Sequence, residues 1–153
     1  MRGRGILLAA FVCLVAASAF AADWQIGTWK LNEGKSKLTP GSAKNHTVVY
    51  TTVGTRIRVT VDGTDPDGKP AHNEWMGAFD GKDYPVTGDP AQDLRAYTKI
   101  DDHTLSFVIK KAGEVTLTGK IVVSKDVKSR TVMTTGSDAK GNKFTNIAVY
   151  DRR

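Results

Sequence analysis

His46, His72 and His103 are the residues most suited to hold a metal ion, but they share no short spacing and each falls at or near the end of a predicted strand. The close-spaced histidine pairs of zinc sites are missing, so they read as boundary or surface side chains. Asp62, Asp65 and Asp67 crowd one loop that ends in Gly68 and suggest calcium. The register fails, because counting back from Gly68 puts Gly63 where an oxygen ligand belongs, and Glu74 does not restore it. A hairpin turn accounts for the loop better. Nucleophilic catalysis needs a nucleophile beside a base, and the chain has no Gly-x-Ser-x-Gly elbow and a single cysteine, Cys13. Asp101-Asp102-His103 fits a turn leading into a strand. Arg95, Tyr97 and Lys99 fall on one strand face, an aromatic between two cations, as in single-strand nucleic-acid grooves. An exterior face whose tyrosine packs between long aliphatic stems is the simpler account. The expectation is therefore a protein that is not an enzyme, with no catalytic residues, no metal site, no cofactor and no nucleic-acid partner.

The elements that would position any site begin after the N-terminus. Arg2 and Arg4, the apolar run Ile6 to Val15 and the small-x-small sequence Ala19-Phe20-Ala21 predict a cleavable secretory signal over 1–21, cut after Ala21. The run is shorter than the roughly 20 apolar residues of a membrane span, so no transmembrane segment is expected after cleavage. Cys13 sits inside that run behind Val12, which argues against lipid attachment. The predicted product, 22–153, is a cysteine-free domain expected in the periplasm or outside the cell, held by packing and hydrogen bonding. Losing Arg2 and Arg4 lowers the formal net charge from +6 to +4, a mild basic excess that reads as a solvated surface.

From Thr47 onward the chain alternates with period two, as in Arg56 to Val61, where Ile57, Val59 and Val61 face one way and Arg56, Arg58 and Thr60 the other. Turn signals punctuate it at Val53-Gly54-Thr55, at Asp62-Gly63 through Asp67-Gly68-Lys69-Pro70, at Asp80-Gly81-Lys82, at Lys111-Ala112-Gly113 and at Lys140-Gly141-Asn142. The pattern predicts about ten strands, near 24–31, 45–53, 56–62, 71–79, 83–87, 93–100, 103–110, 114–124, 129–136 and 143–151. No segment has the periodicity of an amphipathic helix. Short connections favour an up-and-down meander, and closure into a barrel removes its open edges. The fold expected is all-β, a single closed antiparallel barrel of about 8–10 strands, with a β-sandwich as the alternative. One phase of the alternation supplies the interior: Trp29, Ile57, Val59, Val61, Leu105 and Phe107, followed by Ile109, Leu117, Ile121, Phe144 and Tyr150.

Gly27-Thr28-Trp29-Lys30-Leu31 resembles the Gly-x-Trp opening of the lipocalin and fatty-acid-binding-protein (calycin) superfamily. Val149-Tyr150-Asp151-Arg152 resembles the close of the last strand in intracellular fatty-acid-binding proteins. Together with Asp80-Gly81-Lys82-x-Tyr84-Pro85-Val86-Thr87-Gly88, these motifs are also similar to those of small exported bacterial lipocalin-like proteins of unassigned function. The resemblance implies a barrel whose first strand bends at Gly27, whose floor is plugged by Trp29, and whose indole is covered by Arg152. It makes Tyr150 the candidate ligand contact. Two features of fatty-acid-binding proteins have no counterpart. The interval Asn32 to Lys44 is short and broken by Gly34, Pro40 and Gly41 where they carry a helical lid, and Ala148 stands where their ligand-binding arginine precedes the tyrosine. The function expected is binding of a small hydrophobic or amphipathic molecule in an apolar cavity with few polar anchors. The alternative is a cell-envelope or protein-interaction module with a packed interior. Oligomeric state is not legible.

Overall fold

Strands that alternate with period two and are joined by tight turns can bury one face only by curling it inward. In the computed structural model, which describes residues 24–138 and 140–153, ten antiparallel strands do this completely. They are β1 (Gly27–Leu31), β2 (Lys44–Val53), β3 (Arg56–Thr64), β4 (Pro70–Gly77), β5 (Tyr84–Thr87), β6 (Leu94–Lys99), β7 (Thr104–Lys111), β8 (Glu114–Val123), β9 (Ser129–Ser137) and β10 (Lys143–Arg152). Each pairs with its successor, and β1 pairs with both β2 and β10, so one barrel closes and the sandwich alternative falls. The predicted signal over 1–21 lies outside the described residues.

The meander gives the barrel two distinct ends. The β2–β3, β4–β5, β6–β7 and β8–β9 turns lie at one end with residues 24–26, here termed the floor. The other end, the mouth, carries the remaining connections. Between β1 and β2 the chain makes a single 3-10 turn, Glu33–Lys35, capped by the Asn32 side chain. It then follows β10, with Asn32 N donating to Val149 O at 2.8 Å and Lys37 N to Ile147 O at 2.7 Å.

The acidic loop is a turn device. Asp65 Oδ1 accepts from the backbone N–H of Asp67 and of Lys69, at 2.9 Å each, and Gly68 takes φ +79°. The reversal expected to begin at Asp62-Gly63 starts instead at Asp65, because both residues continue β3. Gly63 is there for close approach: a Cβ on it would lie 1.9 Å from Lys44 O, beside a bulge that leaves His46 as the extra residue of β2.

The expected interior faces inward. Trp29, Val59, Val61, Leu105, Phe107, Ile109, Ile121 and Tyr150 are buried, while Ile57, Leu117 and Phe144 are half-buried. They are joined by Val48, Tyr50, Trp75, Val86, Tyr97 and Val123. Val115, in phase with Leu117 by sequence, is exposed because a register shift intervenes near the β7–β8 turn.

Gly63→Ala forces its methyl group against main chain that cannot swing away, and is expected to destabilise the fold by roughly 1–3 kcal/mol. Gly34→Ala, at ordinary contact distance from Asn32, is expected to stay within about 0.5 kcal/mol of the parent. Urea denaturation monitored by tryptophan fluorescence compares the two; equal midpoints would contradict the close-approach account.

Candidate functional site

The barrel is hollow toward its mouth. A cavity of about 570 Å³ runs inward between the segment before β2, the β3–β4 turn and the β5–β6 loop. Its apolar wall includes Val61, Phe107, Ile109, Leu117, Ile121 and Val132, all on inward phases of their strands. A volume of this order is typical of small-molecule sites, which span roughly 300–1,000 Å³.

Aromatic packing closes the other end. Trp75 lies 4.8 Å from Tyr97 and 5.6 Å from Tyr84, ring centre to ring centre, both edge-on, and stacks on Phe79 at 6.3 Å. Trp29 is fully buried and donates its indole N–H to Gln25 O at 2.8 Å. Arg152, opposite Trp29 in the β1–β10 ladder, holds its guanidinium 5.2 Å from the centre of that ring. The same guanidinium donates to the carbonyls of Trp24 and Ile26, which ties the residues before β1 across the floor. Gly27 adopts φ +137°, a backbone conformation that favours glycine, and a Cβ there would lie 3.0 Å from Arg152 Nη2, so the guanidinium would have to shift.

Two further arginines face the cavity. Arg95 is buried and its donors are met by neutral groups: Gln92 Oε1 accepts from Nε at 3.1 Å and from Nη2 at 2.8 Å. Asn73 Oδ1 accepts from Nη2 at 3.0 Å and the Tyr97 hydroxyl from Nη1 at 3.3 Å. This corrects the exterior reading of that strand: Arg95 and Tyr97 point inward, and Lys99 alone is exposed, paired with Asp102 at 3.1 Å. The strand was misassigned because an arginine beside a tyrosine carries no apolar signal of an inner face.

Arg130 is the residue sequence reasoning missed. It lies opposite Tyr150 in the β9–β10 ladder. Its guanidinium sits 4.8 Å from the Tyr50 ring, 4.9 Å from Trp29 and 5.0 Å from Tyr150. Nη1 reaches Gln25 Oε1 at 3.4 Å, and among the described residues Nε has no acceptor. Arg130 thus faces the interior from the strand next to that of Tyr150. The cavity is correspondingly more polar than expected.

Tyr150 lines the cavity and donates its hydroxyl to Asn45 O at 3.0 Å. Burial pushes its phenol up to about 12, against the pull of Arg130. Tyr50 is raised further by burial and the adjacent Tyr97, with Arg130 and Arg95 opposing. The histidines remain apart: His46 meets Thr64, His72 pairs with Asp62 at 2.6 Å, and His103 contacts Val123 O at the floor. Among the described residues no three His, Cys, Asp or Glu side chains converge on a metal position.

No family model and no curated protein matches the chain. Among solved structures it is similar to a redesigned β-barrel, mFAP1, bound to DFHBI, at 17% identity over 86% of this chain and 98% of that one, with a TM-score of 0.45.

Raised phenol pKa values mean that the fold favours the neutral form of Tyr50 and Tyr150. That contribution is complete below the ordinary value of 10.0 and, for Tyr150, is lost as pH rises from there to about 12. Stability is expected to fall by about 1.4 kcal/mol per pH unit per group across that window. Urea denaturation at pH 8, 10 and 11 checks this, with Tyr150→Phe expected to show a correspondingly shallower decline.

Proposed function

We propose that this chain is a non-enzymatic, exported binding protein with a calycin-like barrel, which takes a small, partly apolar molecule through the mouth into its interior. The cavity of about 570 Å³ is the observation that supports this reading most directly. Its wall combines aliphatic and aromatic surface with a small number of fixed polar groups, the composition ligand sites favour. A ligand there exchanges water against apolar wall for contact, and gains affinity from a site that is already formed. A surface-acting module with a packed interior has no use for such a space, which weighs against the alternative. Tyr150, buried at the wall with its hydroxyl already engaged, serves as a fixed aromatic surface for the ligand.

The neutral fluorophore N-phenyl-1-naphthylamine tests cavity binding. Saturable enhancement of its fluorescence is expected, with affinity weakened by at least about tenfold in Ala148→Trp, which fills the wall from β10. No enhancement, or equal binding by the variant, would count against the proposal. For export, the protein recovered from the periplasm or medium is expected to begin Ala22-Asp23-Trp24 on N-terminal sequencing. Retention of Met1 in a cytoplasmic fraction would refute it.

A further inference from the structure

We infer that the occupant of the cavity is an organic anion with a planar aromatic body, its acid group seated on Arg130 and its rings among Tyr50, Tyr97 and Phe107. The inference rests on the cavity-binding reading and goes further by fixing the charge and shape of the ligand.

The charge follows from what surrounds the two inner arginines. Arg130 is 2% exposed and Arg95 5% exposed, both line the cavity, and a guanidinium keeps its proton at any physiological pH. Among the described residues neither has a carboxylate within 4.0 Å. The carboxylates lining the cavity, Asp65 and Asp89, belong to the mouth and are occupied there. Asp65 caps its own turn, and Asp89 accepts from Ala91 N and from the Gln92 amide. The phenols of Tyr50 and Tyr150 stay neutral at physiological pH and contribute no negative charge. Two cations therefore share the barrel interior without a counter-charge, an arrangement that favours an anion from outside.

Arg130 is the better seat. Arg95 has its donors directed at Gln92, Asn73 and Tyr97, whereas Arg130 is held mainly by ring faces. A ring attracts the cation without accepting a hydrogen bond in the plane of the guanidinium, and buried Nε has no acceptor. A carboxylate or sulfonate supplies both the charge and the acceptors.

The body follows from the wall. Asn73, Gln92 and Asn146 interrupt the apolar lining, with their amide oxygens already engaged by Arg95 and by the Thr39 N–H. Tyr97 meets Tyr50 and Phe107 with its ring centre 6.4 Å and 6.2 Å from theirs, so that flat groups find both faces and edges to pack on.

The test compares 1-anilinonaphthalene-8-sulfonate with N-phenyl-1-naphthylamine, the same body without the sulfonate. The sulfonate is expected to bind the parent protein at least about tenfold more tightly. Arg130→Gln is expected to remove that preference, bringing the sulfonate's affinity to that of the neutral probe measured on the same variant. Should that variant fail to fold by circular dichroism, Arg130→Lys, which keeps the charge and loses the fork, is expected to reduce the preference. Naphthoate is expected to displace the bound sulfonate at lower concentration than dodecanoate. Equal affinity of the two probes for the parent overturns the anion assignment while leaving cavity binding intact. A preference unchanged in the Arg130 variant that folds overturns the seat, and stronger competition by dodecanoate overturns the aromatic body. Binding of neither probe removes the cavity reading itself and the inference with it.

Discussion

Closure of ten strands into one ring is the constraint on which the rest of this molecule depends. The width of a barrel grows with strand number, and about eight strands already give an interior that side chains just fill. Ten strands enclose more space than Val, Leu and Ile can reach across. The wider interior is filled by large side chains at one end and left open at the other. At the floor Trp29, Trp75, Tyr50 and Tyr97 occupy the lumen, and toward the mouth, where the inward positions are Val61, Ile109, Leu117 and Thr134, the cavity remains.

That division explains why arginines can be tolerated inside. A guanidinium is flat, so Arg130 fits against the rings of Trp29, Tyr50 and Tyr150, whose faces offset part of the cost of removing its charge from water. Arg152 approaches the same indole, and through its bonds to the Trp24 and Ile26 carbonyls fixes the segment that precedes β1. The groups that seal the floor are thus continuous with the groups that make the cavity polar. Substitution at Trp29 would disturb both, whereas positions nearer the mouth, such as Ala148, alter the cavity with less effect on the floor.

Much of the fold was legible because it is local. Period-two alternation from Arg56 to Val61 and the turn residues around Gly54, Gly68 and Gly141 carry strand and hairpin information within a few residues. The interior phase through Val59, Phe107 and Ile121 follows from that alternation. Less of the site was legible, because its polar members violate the rule that defines the inner face. Arg130 shares its phase with Val132 and Thr134, while the opposite phase of β9 carries Met133, which is exposed. Neither face of that strand is clearly apolar in sequence, and only the pairing of Arg130 with Tyr150 across the ladder reveals which one turns inward. Arg95 was misread for the same reason. Asp62-Gly63 misled differently: its dipeptide is turn chemistry, but the glycine serves a bulge against Lys44, a contact 19 residues away in sequence.

The ring is also uneven, and its weakest part adjoins the polar group. β5 contributes two register pairs to β4, Glu74 with Thr87 and Trp75 with Val86, and two to β6, Tyr84 with Arg95 and Pro85 with Leu94. Neighbouring seams carry much longer ladders; β3 and β4 pair from Ile57–Gly77 to Thr64–Pro70. Fewer ladder bonds make local opening cheapest along β5 and the loop that follows it. That loop carries Asp89 and Gln92, and Gln92 in turn holds the Arg95 guanidinium. A movement that widened the mouth there would therefore also release acceptors from Arg95, coupling access to the cavity with its electrostatics. No lid helix is required for such coupling. The short connection after β1 runs along β10 and borders the mouth on another side, so the cavity is framed by this thin seam and that segment together.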